Sequence, residues 1–303
     1  MRETMKKLLI ATTALVATAG VAAAEVTISG NGRMGVVYNF GGDNELNFTS
    51  RVRASISMSG TTDGGLEFGG SFGVHDAGGA KSGSAGEIYI SGAFGKLSMG
   101  DVDNAAVATV GHLAGVGLTG LGDKNEIQTI STGAATDDPR LLYTYSAGSL
   151  TFALSATDGK AGQTAANADS AYAVGVKYAF GDYSVALAYE NRNNVAGVDP
   201  THIVLGVEAG FGSTKAKLIY GMADYGATDA RQVGLSISST FDATTVSAYV
   251  RRSDIGASAP ATETTYWGIG ASYDLGGGAK VVGGVAGSDG GDTTADLGLS
   301  FSF

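Results

Sequence analysis

The sequence predicts an all-β protein: a sixteen-stranded antiparallel transmembrane β-barrel with short periplasmic turns, long extracellular loops and a long third loop folded into the lumen. Three observations predict it. The end of the chain, Ala295-Asp296-Leu297-Gly298-Leu299-Ser300-Phe301-Ser302-Phe303, alternates apolar with polar or small side chains and finishes on an aromatic ring. Successive strand residues point to opposite faces, so one face there is apolar and the other polar, which suits a wall between lipid and water. Sixteen such period-two segments recur between turn signals, an even number as a bacterial single-chain barrel requires. The connections between them alternate between very short and long, as the two ends of an outer-membrane barrel do.

In chain order, residues 1–24 come first. They carry Arg2, Lys6 and Lys7, an uncharged apolar stretch from Leu8, and Ala22-Ala23-Ala24. This is a secretory signal with an A-x-A cleavage site, which leaves a mature chain from Glu25. Met5, directly before the lysines, makes a better start than Met1. The barrel domain, 25–303, holds predicted strands at 26–38, 46–60, 65–75, 86–92, 95–100, 140–146, 149–157, 171–180, 182–191, 202–211, 213–223, 230–240, 243–254, 264–274, 279–287 and 293–303. Short turns fall at 61–64, 92–95, 146–148, 180–182, 211–213, 241–243 and 275–278. Phe94, Phe180, Phe211 and Phe241 stand beside these turns, with Tyr145, Tyr178, Tyr183 and Tyr273 nearby. Rings at one level read as the periplasmic aromatic girdle.

Within strands the parity is clean. Val26, Ile28, Met34, Val36 and Tyr38 alternate with Thr27, Ser29, Asn31 and Arg33; Phe48, Val52, Ala54, Ile56 and Met58 alternate with Arg51, Arg53, Ser55 and Ser57. A midplane arginine facing lipid costs ~2–4 kcal/mol, so these arginines point inward. The basic wall of the lumen is therefore assigned to Arg33, Arg51, Arg53, Lys96 and Arg251, with Lys177, Lys215, Lys217, Tyr249 and Asp296 also inside. Sixteen strands enclose an aqueous channel. Small inward residues, Ala173, Gly175, Ala186, Ala188, Gly234 and Ser236, are expected to keep it open. Outward Gly30, Gly32 and Ser50 are candidates for close packing against another subunit.

The segment 101–139 is too long for an ordinary connection. Its stretch 104–116 is uncharged and largely apolar, so resting on the inner wall of the barrel would shelter it from water. As a constriction loop it would offer Asp101, Asp103, Asp123, Glu126, Asp137 and Asp138 to the channel, opposite the arginines. Carboxylates facing guanidiniums across a narrow gap set up a transverse field that orients dipolar solutes.

Composition excludes other classes. Glycine supplies 49 residues, yet they are mixed with Val, Ile, Leu, Phe and Tyr in alternation, so the chain is not read as disordered. There are no cysteines, hence no disulfide framework and no thiolate metal site. Without the leader the net charge is about −12, which argues against nucleic acid as a partner.

Short stretches along the whole mature chain resemble the general diffusion porins of the Rhodobacter type. They are Glu25-Val26-Thr27-Ile28-Ser29-Gly30 with Arg33-Met34-Gly35-Val36, then Ser50-Arg51-Val52-Arg53, Met58-Ser59-Gly60-Thr61-Thr62-Asp63, Gly65-Leu66-Glu67-Phe68-Gly69, Leu141-Leu142-Tyr143-Thr144-Tyr145-Ser146-Ala147-Gly148, Tyr266-Trp267-Gly268-Ile269-Gly270-Ala271-Ser272-Tyr273-Asp274-Leu275-Gly276-Gly277-Gly278 and Ala295-Asp296-Leu297-Gly298-Leu299. The resemblance implies a homotrimer in outer-membrane lipid and lipopolysaccharide. It implies an eyelet formed by the third loop, passive flow of small hydrophilic solutes and ions, no required cofactor, and structural calcium near the loops. It also implies paired termini, Glu25 and Phe303, closing the first strand against the last. The terminal aromatics Phe301 and Phe303 resemble the signal read by the outer-membrane assembly machinery. The third loop departs from the family pattern in having Ala and Val where carboxylates are expected, and Gly73 stands where a wall lysine would fit. No metal ligand is assigned.

Two other readings stand beside this one. A barrel with a plugged lumen could be an enzyme, but the three histidines, His75, His112 and His202, fall in or beside extracellular loops with no motif coupling them to a serine and an acid. A structural or adhesive barrel is the other. A secreted β-solenoid would show a fixed short period, which is absent. The expected function is a passive, non-enzymatic pore with a weak cation preference, the acidic mouths outweighing the basic waist.

Overall fold

The computed structural model describes residues 24–43, 45–75, 86–131, 140–157, 170–193, 198–256 and 259–303. Residues 1–23 of the expected leader, and Asp137 and Asp138, lie outside them. The strands are β1 (Glu25–Asn39), β2 (Leu46–Thr61), β3 (Glu67–His75), β4 (Glu87–Gly92), β5 (Gly95–Gly100), β6 (Arg140–Ala147), β7 (Leu150–Thr157) and β8 (Ala171–Phe180) in the first half. The second half holds β9 (Tyr183–Arg192), β10 (Thr201–Phe211), β11 (Thr214–Asp224), β12 (Asp229–Phe241), β13 (Thr244–Ser253), β14 (Thr264–Gly276), β15 (Ala279–Ser288) and β16 (Thr294–Ser302). Each pairs antiparallel with its neighbours in sequence, and β1 pairs with β16 to close the barrel. Closure satisfies the backbone without an edge facing lipid. Among the described residues no helix is long and apolar enough to cross a membrane.

Local chemistry explains the turns and the two faces. Four short turns repeat one device: the first turn residue, Gly148, Gly181, Gly212 or Asp242, has positive φ, at 60°, 61°, 62° and 52°. A two-residue turn needs this to follow the twist of its strands, and Asp tolerates it because a short polar side chain relieves the steric cost. In β12, outward Val233, Leu235 and Ile237 are exposed while Gln232, Gly234 and Ser236 are buried. The girdle rings touch in series: Tyr178 with Phe180 at 5.8 Å, Phe180 with Tyr183 at 5.7 Å and Tyr183 with Phe211 at 6.1 Å between centroids.

At the closing seam the structure corrects two expectations. Phe303 bonds Gly30, N to O at 2.8 Å and O from N at 3.2 Å, while Glu25 pairs with Ser59 of β2. The register of β1 on β16 thus sets Glu25 five residues beyond Phe303, and the two termini are not paired. The outward Gly30 and Gly32 are covered by this chain's own Phe303 ring, whose Cδ2 and Cε2 lie 3.3 and 3.5 Å from where their Cβ atoms would stand. They seat the last side chain of β16.

Candidate functional site: the lumen and its third loop

The third loop leaves β5 at Asp101 and turns into the barrel. Asn104 caps α1 (Ala105–Val110), its side chain accepting from Val107 N at 2.9 Å, and Gly111 stops the helix at a φ of 69°. A short polar residue before the first turn and a glycine after the last is a start and stop signal legible in sequence. The helix lies against the inner wall at β7–β10, where the Ser155 hydroxyl accepts from Ala105 N at 2.8 Å.

Along the path of the loop, glycines of the wall make room for its side chains. A Cβ at Gly175 would fall 2.3 Å from Thr109 Oγ1, at Gly206 2.8 Å from Val110 Cγ1, and at Gly234 2.7 Å from Leu113 Cδ1. The path continues past Gly268 and Gly270, which face Val116, to Gly298 and Gly35, where Leu118 lies. The loop therefore crosses the inner wall from β7 round to β16 and β1. This corrects the expectation for the small inward residues. Ala173, Gly175, Ala186, Ala188, Gly234 and Ser236 do not leave space in the lumen; they are the bed of the loop, buried by it, because an apolar segment inside a wet barrel gains most by lying flush on the wall.

Polar side chains of the wall hold the loop down, and the sequence did not mark them. At the tip Asp296 accepts from Leu118 N at 2.9 Å and from Thr119 N and Oγ1 at 2.7 Å each. Ser236 Oγ accepts from Ala114 N at 3.0 Å. On the return arm Gln232 exchanges two bonds with the Gln128 backbone, at 3.0 and 2.8 Å. Glu190 accepts from Ile130 N and Ser131 N at 3.3 Å each and from the Ser131 hydroxyl, and pairs with His202 Nδ1 at 2.5 Å. Both members of that pair are fully buried. His202 is thus not a surface or loop histidine: it sits in β10, tied to Glu190 on one nitrogen and 3.1 Å from Gln232 Nε2 on the other. The two arms of the loop also bond each other, through Leu113 N to Asn125 O at 3.2 Å and Ile127 N to His112 Nδ1 at 3.2 Å.

The expected basic wall divides in two. Arg33 and Arg51 stand directly opposite across β1 and β2, Arg53 is two residues further along, and Arg51 reaches Asn31 Oδ1 at 3.4 Å. Like charges in opposite register repel unless water and counter-ions screen them, which marks this side of the lumen as wet. Lys96 faces inward but is 3.5 Å from Glu87 and 4.2 Å above the Tyr89 ring. Arg251 is not on the open wall: it is buried under the loop, donating Nε to Lys124 O at 3.2 Å and lying 4.5 Å over Tyr266.

The acids divide as well. Asp101 is 3.4 Å from Arg140 and, with Glu87, shares a recess of about 260 Å³ with Arg53. Glu87 opens β4, and strand pairing rather than any local sequence pattern brings it beside Asp101. Asp103 stands exposed before α1. Asp123 is exposed just past the tip, and Glu126, exposed on the return arm, lies 4.0 Å from His112. Among the described residues no three His, Cys, Asp or Glu side chains gather as a metal-holding group.

A closed barrel with an apolar outer band and a charged lumen, narrowed by its own loop, defines an outer-membrane diffusion channel. Comparison with known proteins agrees. The chain matches the family model for Gram-negative porins over residues 11–293. It is 43% identical to a porin of Rhodobacter capsulatus and 28% identical to a porin of Fuscovulum blasticum, in each case over 92% of this chain and the whole relative. A solved porin structure refined at 1.8 Å, 42% identical, superposes with a TM-score of 0.80 over 92% of this chain and all of its own. This chain belongs to the Gram-negative porin family, and it is a general diffusion porin of the bacterial outer membrane.

Proposed function

We propose that solutes cross between the third loop and the wall of β1–β5, so that the eyelet is bounded by the loop on one side and by Arg33, Arg51 and Arg53 on the other. The arginine cluster carries this reading, because three like charges on adjacent strands are compatible only with a hydrated passage. Transport is passive and needs no cofactor. No enzymatic role is assigned: the Ser131 hydroxyl bonds Glu190 rather than His202, so this buried trio lacks the nucleophile-to-base contact that acyl-transfer chemistry requires. The net negative charge favours cations at the mouths, the arginines favour anions at the waist, and a weak cation preference results.

The working unit is a homotrimer. β4 and β5 have six residues each; at ~3.4 Å per residue and a tilt of ~40° such strands stand ~16 Å tall, short of the ~25 Å apolar band. Lipid does not suit so low a wall, whereas another subunit does. The apolar surface formed by Met58, Phe68, Phe72 and Ile88 on the outer face receives its side chains. Residues 1–24 are removed on export, the outer-membrane assembly machinery reads Phe301 and Phe303, and lipid and lipopolysaccharide surround the remaining wall.

Planar-bilayer recording of the purified protein tests the reading. Large ohmic steps that close in three equal levels are expected. A folded, inserted barrel without conductance would contradict it and favour the plugged alternative.

A further inference from the structure

We infer that Asp296 is the positioning residue that keeps the channel open, by retaining the tip of the third loop against the wall. The tip, residues 117–120, is the part of the loop farthest from both of its anchored ends. Its main-chain donors at Leu118 and Thr119 converge on the Asp296 carboxylate, which is 6% exposed. Among the described residues that carboxylate has no ion pair; the N–H and O–H groups of the tip meet its charge. Three hydrogen bonds from one short stretch of the loop to an ionised acceptor hold that stretch firmly, because hydrogen bonds to a charged group are roughly twice as strong as neutral ones.

The direction of any release follows from the packing. A Cβ at Gly284 would lie 2.8 Å from Gly117 N, and Cβ atoms at Gly298 and Gly35 would each lie 2.7 Å from Leu118 Cδ2. Nothing as large as a methyl group fits behind the tip, so an unpinned tip moves one way, into the passage. Asp296 therefore sets the bore by holding the loop back, and its loss narrows the channel. The same result follows from a wedge behind the tip, which leaves the carboxylate in place.

This rests on the conducting reading, so the experiment starts from wild-type trimers that conduct; a silent wild type would sink that reading rather than the pin. Single-channel current is compared for wild type, Asp296→Ala, Asp296→Asn and Gly284→Ala, with the heat resistance of each trimer measured alongside. Asp296→Ala is expected to lose the single steady level and flicker among lower ones. Asp296→Asn, which keeps one carbonyl acceptor, should be intermediate, and Gly284→Ala should show a lower but steady level. A merely structural role would lower heat resistance and leave the current unchanged. A wild-type level in Asp296→Ala overturns the inference. If that variant does not assemble, a wild-type level in Gly284→Ala overturns it equally.

Discussion

The two halves of this lumen obey the same alternation and end in opposite states. From β7 to β14 many inward side chains lie buried beneath the third loop, with Ala188, Val204, Ile219 and Glu190 almost without exposure. On β1 and β2 they are Arg33, Arg51, Arg53, Ser55 and Ser57, partly or fully open to the channel. Parity tells which face of a strand looks inward; size and charge then tell whether that face is covered or wet. Glycine and alanine mark where another segment must lie flush, while clustered arginines mark where water has to remain.

The largest effect that would break this contrast lies in the covered half. Glu190→Ala removes the acceptor for Ile130 N, Ser131 N and the Ser131 hydroxyl and leaves the buried His202 Nδ1 without its partner. Breaking such a pair costs about 3–5 kcal/mol. The folded protein should be lost at clearly lower temperature or denaturant, and an unchanged midpoint would mean that this region is solvated. Next comes overpacking. Gly206→Ala pushes a methyl toward Val110 and should cost about 1–3 kcal/mol, whereas Ser57→Ala in the open half should change stability by less than about 0.5 kcal/mol. Equal effects at the two sites would erase the distinction.

In the open half the expected effect is on ions rather than on stability. A unit charge ~7 Å from a passing ion in water is worth about 0.6 kcal/mol, or about threefold in the local concentration of each ion. Arg51→Ala should therefore shift the reversal potential across a salt gradient toward cations, with no change in heat resistance. An unmoved potential would place Arg51 away from the eyelet. An effect confined to alkaline pH involves Tyr225, between β11 and β12, which packs against Ile130 of the loop. Burial pushes its hydroxyl up to about 12, and that hydroxyl donates to Gly256 O. The unfolded chain loses this proton near 10.0 and the folded chain near 12. In that window the unfolded state binds fewer protons and stability falls as pH rises, while below it the contribution is complete. Tyr225→Phe should flatten that alkaline decline, read as the unfolding midpoint against pH.

Much of the architecture was legible because it is periodic. Every strand appeared within two residues of its place, and the long apolar run after Asp103 announced a loop that had to lie inside. No helix was assigned to the third loop from the sequence, although Asn104 before an Ala-rich turn and Gly111 after it signal α1. What could not be read were contacts between residues far apart in sequence. Asp296 is 178 residues from Leu118 and Gln232 is 104 from Gln128, and no local pattern relates them. The register at the seam was equally hidden, since alternation is unchanged when a strand slides by two residues, so Glu25 and Phe303 could be matched in sequence and still lie apart.

The chain has no native cysteine, so introduced thiols report each half of the lumen separately. The decisive measurement is the single-channel current of the Ser55→Cys and Ala188→Cys proteins as a charged, water-soluble thiol reagent is added. Stepwise block of Ser55→Cys and no response from Ala188→Cys is the expected result. Comparable block of both, or block of Ala188→Cys alone, would contradict a lumen whose passage runs along the arginine wall while the third loop seals the other side.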